Sequence, residues 1–225
     1  MGTSKGYLPK VTKNTTRTKI NITNAIKNGT ENQIEGIKKV VSSFKISQGN
    51  DLFGVKNNNY VQALSTIGRV ISSISSLGIG MFADQFRDKY DVEQIKTPRE
   101  LFNKIIQDEE YLYELEKANI LSAVGTTLDE MNILDFESLN SIDCDLFFKI
   151  FIKELIYSLF VSSYFAHVSN KTKNPKVANE FCEEVKKYIE GRLLQDDRFV
   201  VDLINNEHVM KEYVEKIIEE VLSLL

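Results

Sequence analysis

The sequence has no tryptophan, and it contains only two histidines, two cysteines and three prolines among 225 residues. Neither Cys-x-x-Cys nor His-Glu-x-x-His occurs, and neither histidine follows a glutamate by three residues, as ligands of carboxylate-bridged di-iron bundles do. Cys144 and Cys182 fall in apolar helical segments, where a thiol is commonly buried and unreactive. We therefore expect no metal, no cofactor, no structural disulfide and no cysteine nucleophile.

The scarcity of proline leaves long uninterrupted segments, in which apolar residues recur at spacings of three and four, a helical period. The first such stripe comprises Ile34, Ile37, Val40, Val41 and Phe44. The second comprises Val61, Leu64, Ile67, Val70, Ile71, Ile74 and Leu77. Strand signals are weak throughout. Because helices with one apolar face must bury it against one another when no sheet is present, we predict an all-α multi-helix bundle of about seven or eight helices.

Several residues predict where helices begin and end. Thr97-Pro98-Arg99-Glu100 has the Thr, Pro and Glu of a capped helix start, and Asn174-Pro175 repeats the cap-then-proline order. Asp143 is expected to open the most apolar helix, and Gly125 is expected to end an earlier one. A last amphipathic helix is predicted over residues 209–222.

Acidic residues are absent from residues 1–30, which contain six of the 28 basic residues and none of the 32 acidic ones. The remainder therefore carries 22 basic and 32 acidic side chains, and the chain divides into a basic start and an acidic body. Residues 1–20 also hold too few apolar side chains to offset the entropy of ordering them. We predict a flexible basic N-terminal arm over residues 1–20 and a single helical domain over residues 21–225.

Charge-free segments long enough to cross a membrane are also lacking. The apolar segment 146–168 is interrupted by Lys149, Lys153 and Glu154, and the uncharged segment 70–83 is shorter than the roughly 18–20 residues that a bilayer core requires. Both segments are predicted to be buried helices. No hydrophobic signal region precedes the arm, so we expect a cytoplasmic protein without membrane contact.

Three motifs each have a structural and a functional interpretation. Asp143-Cys144-Asp145 could be a pair of catalytic carboxylates, but acids at a helix start are also what the helix dipole favours. Residues 78–83 match the dinucleotide fingerprint on paper, yet they follow a helical segment, so a helix break or close helix packing is favoured. An aromatic cluster is either core or a partner-binding groove, and it comprises Phe147, Phe148, Phe151, Tyr157, Phe160, Tyr164 and Phe165.

The residue after the initiator Met is Gly2, so removal of Met1 would leave a glycine α-amine at the tip of the arm. An α-amine has a pKa near roughly 8 and is therefore partly neutral and nucleophilic at cellular pH. A small second residue is also simply common. Alternatively, the arm could bind nucleic acid by neutralising phosphates, with Tyr7 stacked on a base.

The start Met1-Gly2-Thr3-Ser4 and the arm behind it resemble the B component of the four-gene Qat anti-phage defence systems. Weaker similarity continues through residues 63–80, through the helices around 115–125 and through residues 147–164. The arm differs from the glycine-, serine- and proline-rich arm of that family in carrying Lys, Thr and Asn.

The resemblance implies a non-enzymatic helical protein of anti-phage defence that partners a QueC-like enzyme, beside an ATPase and a TatD-like nuclease. Enzymes of the QueC-like type in defence operons attach a deazaguanine to a protein terminus. On this hypothesis Gly2 is the modified residue, the body docks on the partner, and the arm enters its active site. The residues assigned to the partner-binding arm are Thr3, Ser4, Lys5, Gly6, Tyr7 and Lys10. The alternative is a nucleic-acid-binding accessory protein that uses the same basic arm.

Overall fold

The computed structural model describes residues 13–28, 33–48, 59–86 and 95–193. These residues form eight helices and no strand, which confirms the predicted all-α class. The helices are α1 (Lys13–Asn28), α2 (Gln33–Gln48), α3 (Asn59–Phe86), α4 (Pro98–Gln107), α5 (Glu114–Glu130), α6 (Phe136–Asn140), α7 (Cys144–Thr172) and α8 (Pro175–Leu193). The helix predicted over residues 209–222 lies outside the described residues.

Helix α7 is the centre of the bundle, and α1, α5 and α8 pack directly against it. Five of its aromatic side chains are buried, namely Phe147, Phe148, Phe151, Phe160 and Tyr164. Phe44 of α2 meets the Phe160 ring edge-to-face at a centroid distance of 5.6 Å, and Phe102 of α4 stacks on Phe147 at 6.3 Å. Most of the predicted aromatic cluster is therefore core, while Tyr157 and Phe165 are only partly buried.

Helices α1 and α2 form a hairpin, here called the α1–α2 hairpin. Its inner face is formed by Thr18 and Ile22 of α1 and by the predicted apolar stripe of α2. Gly36 allows the two helices to approach closely, because a Cβ added there would lie 3.1 Å from the Cβ of Ala25. One member of the predicted stripe is wrong, since Ile34 is 80% exposed at the start of α2.

The structure places the beginning of α1 inside the segment predicted to be the arm. Helix α1 starts at Lys13, seven residues before the predicted end of the arm at residue 20. Thr15 and Thr18 are buried there, so a stretch with few apolar residues is nevertheless held by tertiary packing against α2 and α7. The arm can therefore comprise at most residues 1–12, which lie outside the described residues.

The predicted helix starts are confirmed. Thr97 caps α4 by accepting a 3.2 Å hydrogen bond from the backbone N–H of Glu100, and Asp143 caps α7 by accepting one of 3.0 Å from Leu146. Asn174 accepts a bond of 3.0 Å from the N–H of Lys176 at the start of α8. The capping interpretation of Asp143 is thus the one that the structure bears out.

The predicted helix end at Gly125 is wrong. Gly125 lies inside α5, and its missing side chain leaves room for Arg99, whose Nη1 would clash with an added Cβ. Arg99 Nη2 donates to the carbonyl oxygen of Gly125 at 3.0 Å and to Asp129 Oδ1 at 2.6 Å. This glycine therefore serves a contact between helices and not a helix end.

A helix break does occur at Gly78, as predicted for residues 78–83. Gly78 has φ 78° and ψ 160°, a left-handed backbone conformation that side chains with a Cβ rarely adopt, and it divides α3 into two helical parts. The described residues show no contact at an added Gly78 Cβ, so backbone freedom and not close packing explains the glycine. Within the described helices, none is both long enough and apolar enough to span a bilayer.

Replacing Gly36 with leucine tests the close approach in the α1–α2 hairpin. Overpacking at this contact is expected to lower the free energy of unfolding by roughly 1–3 kcal/mol, measured by chemical denaturation. The matched control is Gly191→Leu in α8, where no described heavy atom lies within 4 Å of an added Cβ. That variant should be neutral or more stable by up to about 1 kcal/mol, because leucine favours helix over glycine. Equal effects of the two substitutions would contradict the packing of α1 on α2.

Candidate functional site

The residues predicted from sequence to carry function lie outside the described residues. These are the modification candidate Gly2 and the arm residues Thr3, Ser4, Lys5, Gly6, Tyr7 and Lys10. What the structure does describe is the helix to which this segment is joined and a charged site elsewhere in the bundle.

Helix α1 is fixed to the body through His167 of α7. The Nε2 atom of His167 lies 3.1 Å from the backbone oxygen of Lys19 and 3.2 Å from Thr23 Oγ1. Because a carbonyl oxygen only accepts, Nε2 carries the proton. Burial, together with the nearby cations Lys171 and Lys19, lowers the pKa of His167 despite the opposing hydrogen bond, so the ring is neutral at pH 7. The contact is therefore a hydrogen bond of the neutral imidazole that joins α7 to α1.

A network of two lysines and two glutamates, here called the charged cluster, joins α5, α7 and α8. Lys153 Nζ lies 2.7 Å from Glu130 Oε2 and 3.0 Å from Glu154 Oε1. Lys186 Nζ lies 3.0 Å from the same oxygen of Glu154 and 3.6 Å from Glu130 Oε1. The side chains of Lys153 and Glu154 are only 2% and 4% exposed, so each charge depends on the others for compensation.

The charged cluster lowers the pKa of Glu130 and raises the pKa of Lys153. Burial disfavours the charged form of Glu130, but the hydrogen bond from Lys153 and the charges of Lys153 and Lys186 outweigh burial and lower the pKa of Glu130. Burial likewise disfavours the ammonium of Lys153, yet Glu130 and Glu154 raise the pKa of Lys153. Both shifts favour the ionised forms of Glu130 and Lys153 and therefore their ion pair.

A cleft of about 210 Å³ opens beside the charged cluster. It is lined by Ser122, Ala123, Thr126, Glu154, Tyr157, Ser158, Val161 and Lys186. The Tyr157 hydroxyl donates a 3.1 Å hydrogen bond to Glu183 Oε1, and Lys186 Nζ lies 5.3 Å from the centre of the Tyr157 ring. The ammonium group of Lys186 at this cleft is therefore already engaged by the carboxylate of Glu154 and by the ring face of Tyr157.

Tyr157 at this cleft and the two buried cysteines are held in protonated, unreactive forms. Burial and the adjacent Glu183 raise the pKa of Tyr157 well above its usual value. The same two causes raise the pKa of the buried Cys182 thiol to about 11, so it is not a thiolate at neutral pH. Cys144 is also a free, buried thiol whose pKa burial raises. In the described part of the chain, no group of three His, Cys, Asp or Glu side chains is arranged to hold a metal ion.

Sequence reasoning noticed Lys153 and Glu154 only as interruptions of an apolar segment and did not predict the charged cluster. The available signal was an adjacent pair of opposite charges, Lys153 and Glu154, with apolar residues on both sides in the sequence of α7. Such a pair must be buried, and buried charges need partners. The identity of Glu130 and Lys186 as those partners depends on packing that the period of the sequence does not specify.

Replacing Lys153 with methionine tests the charged cluster. The variant leaves Glu154 buried with less compensation, and the free energy of unfolding should fall by about 3–5 kcal/mol in chemical denaturation. The matched control is Lys104→Met, which removes an exposed ion pair of 3.1 Å with Asp108 and should cost less than about 1 kcal/mol. Similar losses in both variants would mean that the cluster is not buried as described.

The pH dependence of stability provides a second test of the charged cluster. Because the pKa of Glu130 is lowered from 4.5, its contribution is fully present above pH 4.5 and is lost as pH falls through the lower folded-state value. The Lys153→Met variant lacks the hydrogen bond that causes this shift. The stability difference between the wild-type and variant chains should therefore shrink between pH 5 and roughly pH 3. A difference that stays constant or grows on acidification would contradict the assigned ionisation.

Comparison with known proteins identifies the family. The sequence model of the family described as Qat anti-phage system associated protein QatB matches residues 107–224, just over half of the chain. The match begins at the last residue of α4 and includes α5, α7 and α8, which supply the charged cluster and the cleft. No curated protein and no solved structure matches the chain. The chain therefore belongs to the QatB family of Qat anti-phage system proteins.

Proposed function

We propose that this chain is a non-enzymatic, cytoplasmic component of anti-phage defence that binds a QueC-like partner enzyme and presents its N-terminal arm for modification at Gly2. Membership of the QatB family implies the role in defence and the existence of other system components. The identity of the partner, the modification of Gly2 and the location in the cytoplasm go beyond what family membership implies and belong to the proposal. In the same proposal an ATPase and a TatD-like nuclease complete the system.

The observation that carries the proposal is the separation of charge along the chain, combined with the docking of α1. Residues 1–30 contain six basic and no acidic residues, whereas the rest is acidic. Helix α1 is hydrogen-bonded to α7 through His167, so the residues before Lys13 are joined to a fixed point. Twelve residues can span at most roughly 40 Å, which is enough to reach into the active site of a bound enzyme.

Gly2 supports the proposal through its chemistry. Removal of Met1 would expose an α-amine whose pKa near roughly 8 makes a substantial neutral fraction available at cellular pH. A glycine has no side chain to obstruct an active site, and its amine is the least hindered that a protein can offer. Tyr157 at the cleft and the buried Cys182 do not compete for this role, since burial and Glu183 keep both protonated at neutral pH.

Intact-mass spectrometry after co-expression with the QueC-like enzyme tests the modification. We expect loss of Met1 and a gain of one deazaguanine-type base, and fragmentation should locate the base on Gly2. The control variant Gly2→Glu retains Met1, because a bulky second residue prevents its removal, and should remain unmodified while its helical body is unchanged. An unmodified wild-type terminus in the presence of active, bound enzyme would contradict the assignment of Gly2 as acceptor.

A nucleic-acid clamp is the second candidate, because the same six cations could neutralise phosphates. It makes a different prediction in a pull-down: capture would depend on nucleic acid, and affinity would fall steeply with salt. A stoichiometric protein partner that survives nuclease treatment would favour the first function. Loss of the captured material on nuclease treatment would favour the second.

A further inference from the structure

The positive charge of the arm continues onto the described surface of the α1–α2 hairpin. Side chains described in α1 and α2 include five cations and one carboxylate, which are Arg17, Lys19, Lys27, Lys38, Lys39 and Glu35. Four of the cations are exposed, and Lys19 is partly exposed. These five cations concentrate positive charge on the hairpin, although the chain after residue 30 is acidic overall. Like charges repel one another, and the formation of the two helices does not require them.

Only one of these cations is neutralised within the hairpin. Lys39 Nζ lies 2.7 Å from Glu35 Oε1, and the hydrogen bond and charge of Lys39, with a smaller effect of Lys38, lower the pKa of Glu35. Among the described residues, no carboxylate forms an ion pair with Arg17 or Lys27. The outward side of the hairpin therefore keeps an excess of positive charge.

Two large aliphatic side chains of the same hairpin are also exposed. Ile20 of α1 is 54% exposed and Ile34 of α2 is 80% exposed, the highest value for a large hydrophobic side chain among the described residues. We call the set Arg17, Ile20, Lys27, Ile34 and Lys38 the basic hairpin face. On a docking surface of this composition, the two isoleucines would be buried and the cations would lie at the polar rim.

The composition of the basic hairpin face favours a protein partner over nucleic acid. Aliphatic side chains gain little from a phosphate backbone, and the outward side of the described parts of α1 and α2 offers no aromatic ring on which a base could stack. Isoleucines gain from a protein surface, where they are removed from water. The cations then require that the same protein surface be acidic.

The hairpin is also held firmly enough to act as a platform. Gly36 and Ala25 bring its two helices together, Phe44 packs against Phe160 of α7, and His167 of α7 holds α1. A partner bound to this platform would meet the residues preceding Lys13 at a high effective concentration, because the connection is short.

We propose that the basic hairpin face docks on an acidic surface of the QueC-like partner enzyme and thereby delivers the arm to its active site. This inference rests on the proposed function and adds to it the face of the bundle that binds and the charge of the surface that it meets. The cations set the rate and register of association, and the two isoleucines are removed from water in the complex.

Charge reversal tests the location of the docking surface. The hairpin variant carries Arg17→Glu, Lys27→Glu and Lys38→Glu, and the control variant carries Lys96→Glu, Lys104→Glu and Lys176→Glu at exposed positions elsewhere. Both keep the arm intact and change the net charge equally. In calorimetric titration of the full-length chains with the purified QueC-like enzyme, the hairpin variant should bind at least roughly tenfold more weakly, and the control should stay within about threefold of wild type. Circular dichroism establishes that both variants remain folded.

A second variant measures the contribution of the two exposed isoleucines to binding separately from that of the cations. Ile20→Ala combined with Ile34→Ala should weaken binding by roughly three- to tenfold at low and at high salt alike, because burial of aliphatic surface is not screened. The loss in the hairpin charge variant should instead be smaller at high salt. Wild-type affinity of the double alanine variant would overturn the assignment of this face.

The outcomes distinguish this inference from the proposed function. Wild-type chain that binds through the hairpin but is never modified would refute the modification at Gly2 and support the docking face. Equal weakening in the hairpin and control charge variants would refute the docking face and indicate only long-range attraction. A hairpin variant that binds the enzyme normally but loses affinity for a DNA oligonucleotide would refute it in favour of nucleic acid. Absence of any binding by the wild-type chain would refute both proposals.

Discussion

The burial of the apolar side chains of α7 determines how the other described helices pack. This helix is apolar around most of its circumference, so α1, α5 and α8 must pack against it on several sides, and Phe44 and Phe102 bring α2 and α4 to the same core. Two charges, those of Lys153 and Glu154, are buried with it. Because a buried charge without a partner is costly, α5 and α8 are fixed in register by Glu130 and Lys186, which complete the charged cluster.

The same helix connects this core to the proposed function. Through His167 it holds α1, and α1 with α2 forms the hairpin to which residues 1–12 are joined in sequence. The groups at the cleft beside the charged cluster are held in protonated or ion-paired states, which suits a structural role. In the proposed function, the helical bundle provides the docking surface and the arm provides the acceptor amine. The partner enzyme catalyses the modification.

Local rules predicted the helical class, the capped starts of α4, α7 and α8, and the break at Gly78, because each depends on a few adjacent residues. Features that depend on tertiary contacts were not predicted. Gly125 was interpreted as a helix end because glycine favours that position, whereas here it makes room for Arg99 from another helix. The beginning of α1 at Lys13 was missed because Thr15 and Thr18 are polar, and only their packing shows that they are buried. The charged cluster could not be predicted from the spacing of residues in the sequence, because its members come from three different helices.

The central claim is that a basic arm of at most twelve residues extends from a helix that belongs to the folded body. Hydrogen–deuterium exchange of the isolated full-length chain, resolved by peptide, measures this directly. The account predicts slow exchange over residues 13–28, comparable with that of α7, and, from the composition of residues 1–12, complete exchange there at the earliest time point. Protection of residues 1–12 as strong as that of α1, or loss of protection throughout α1, would contradict it.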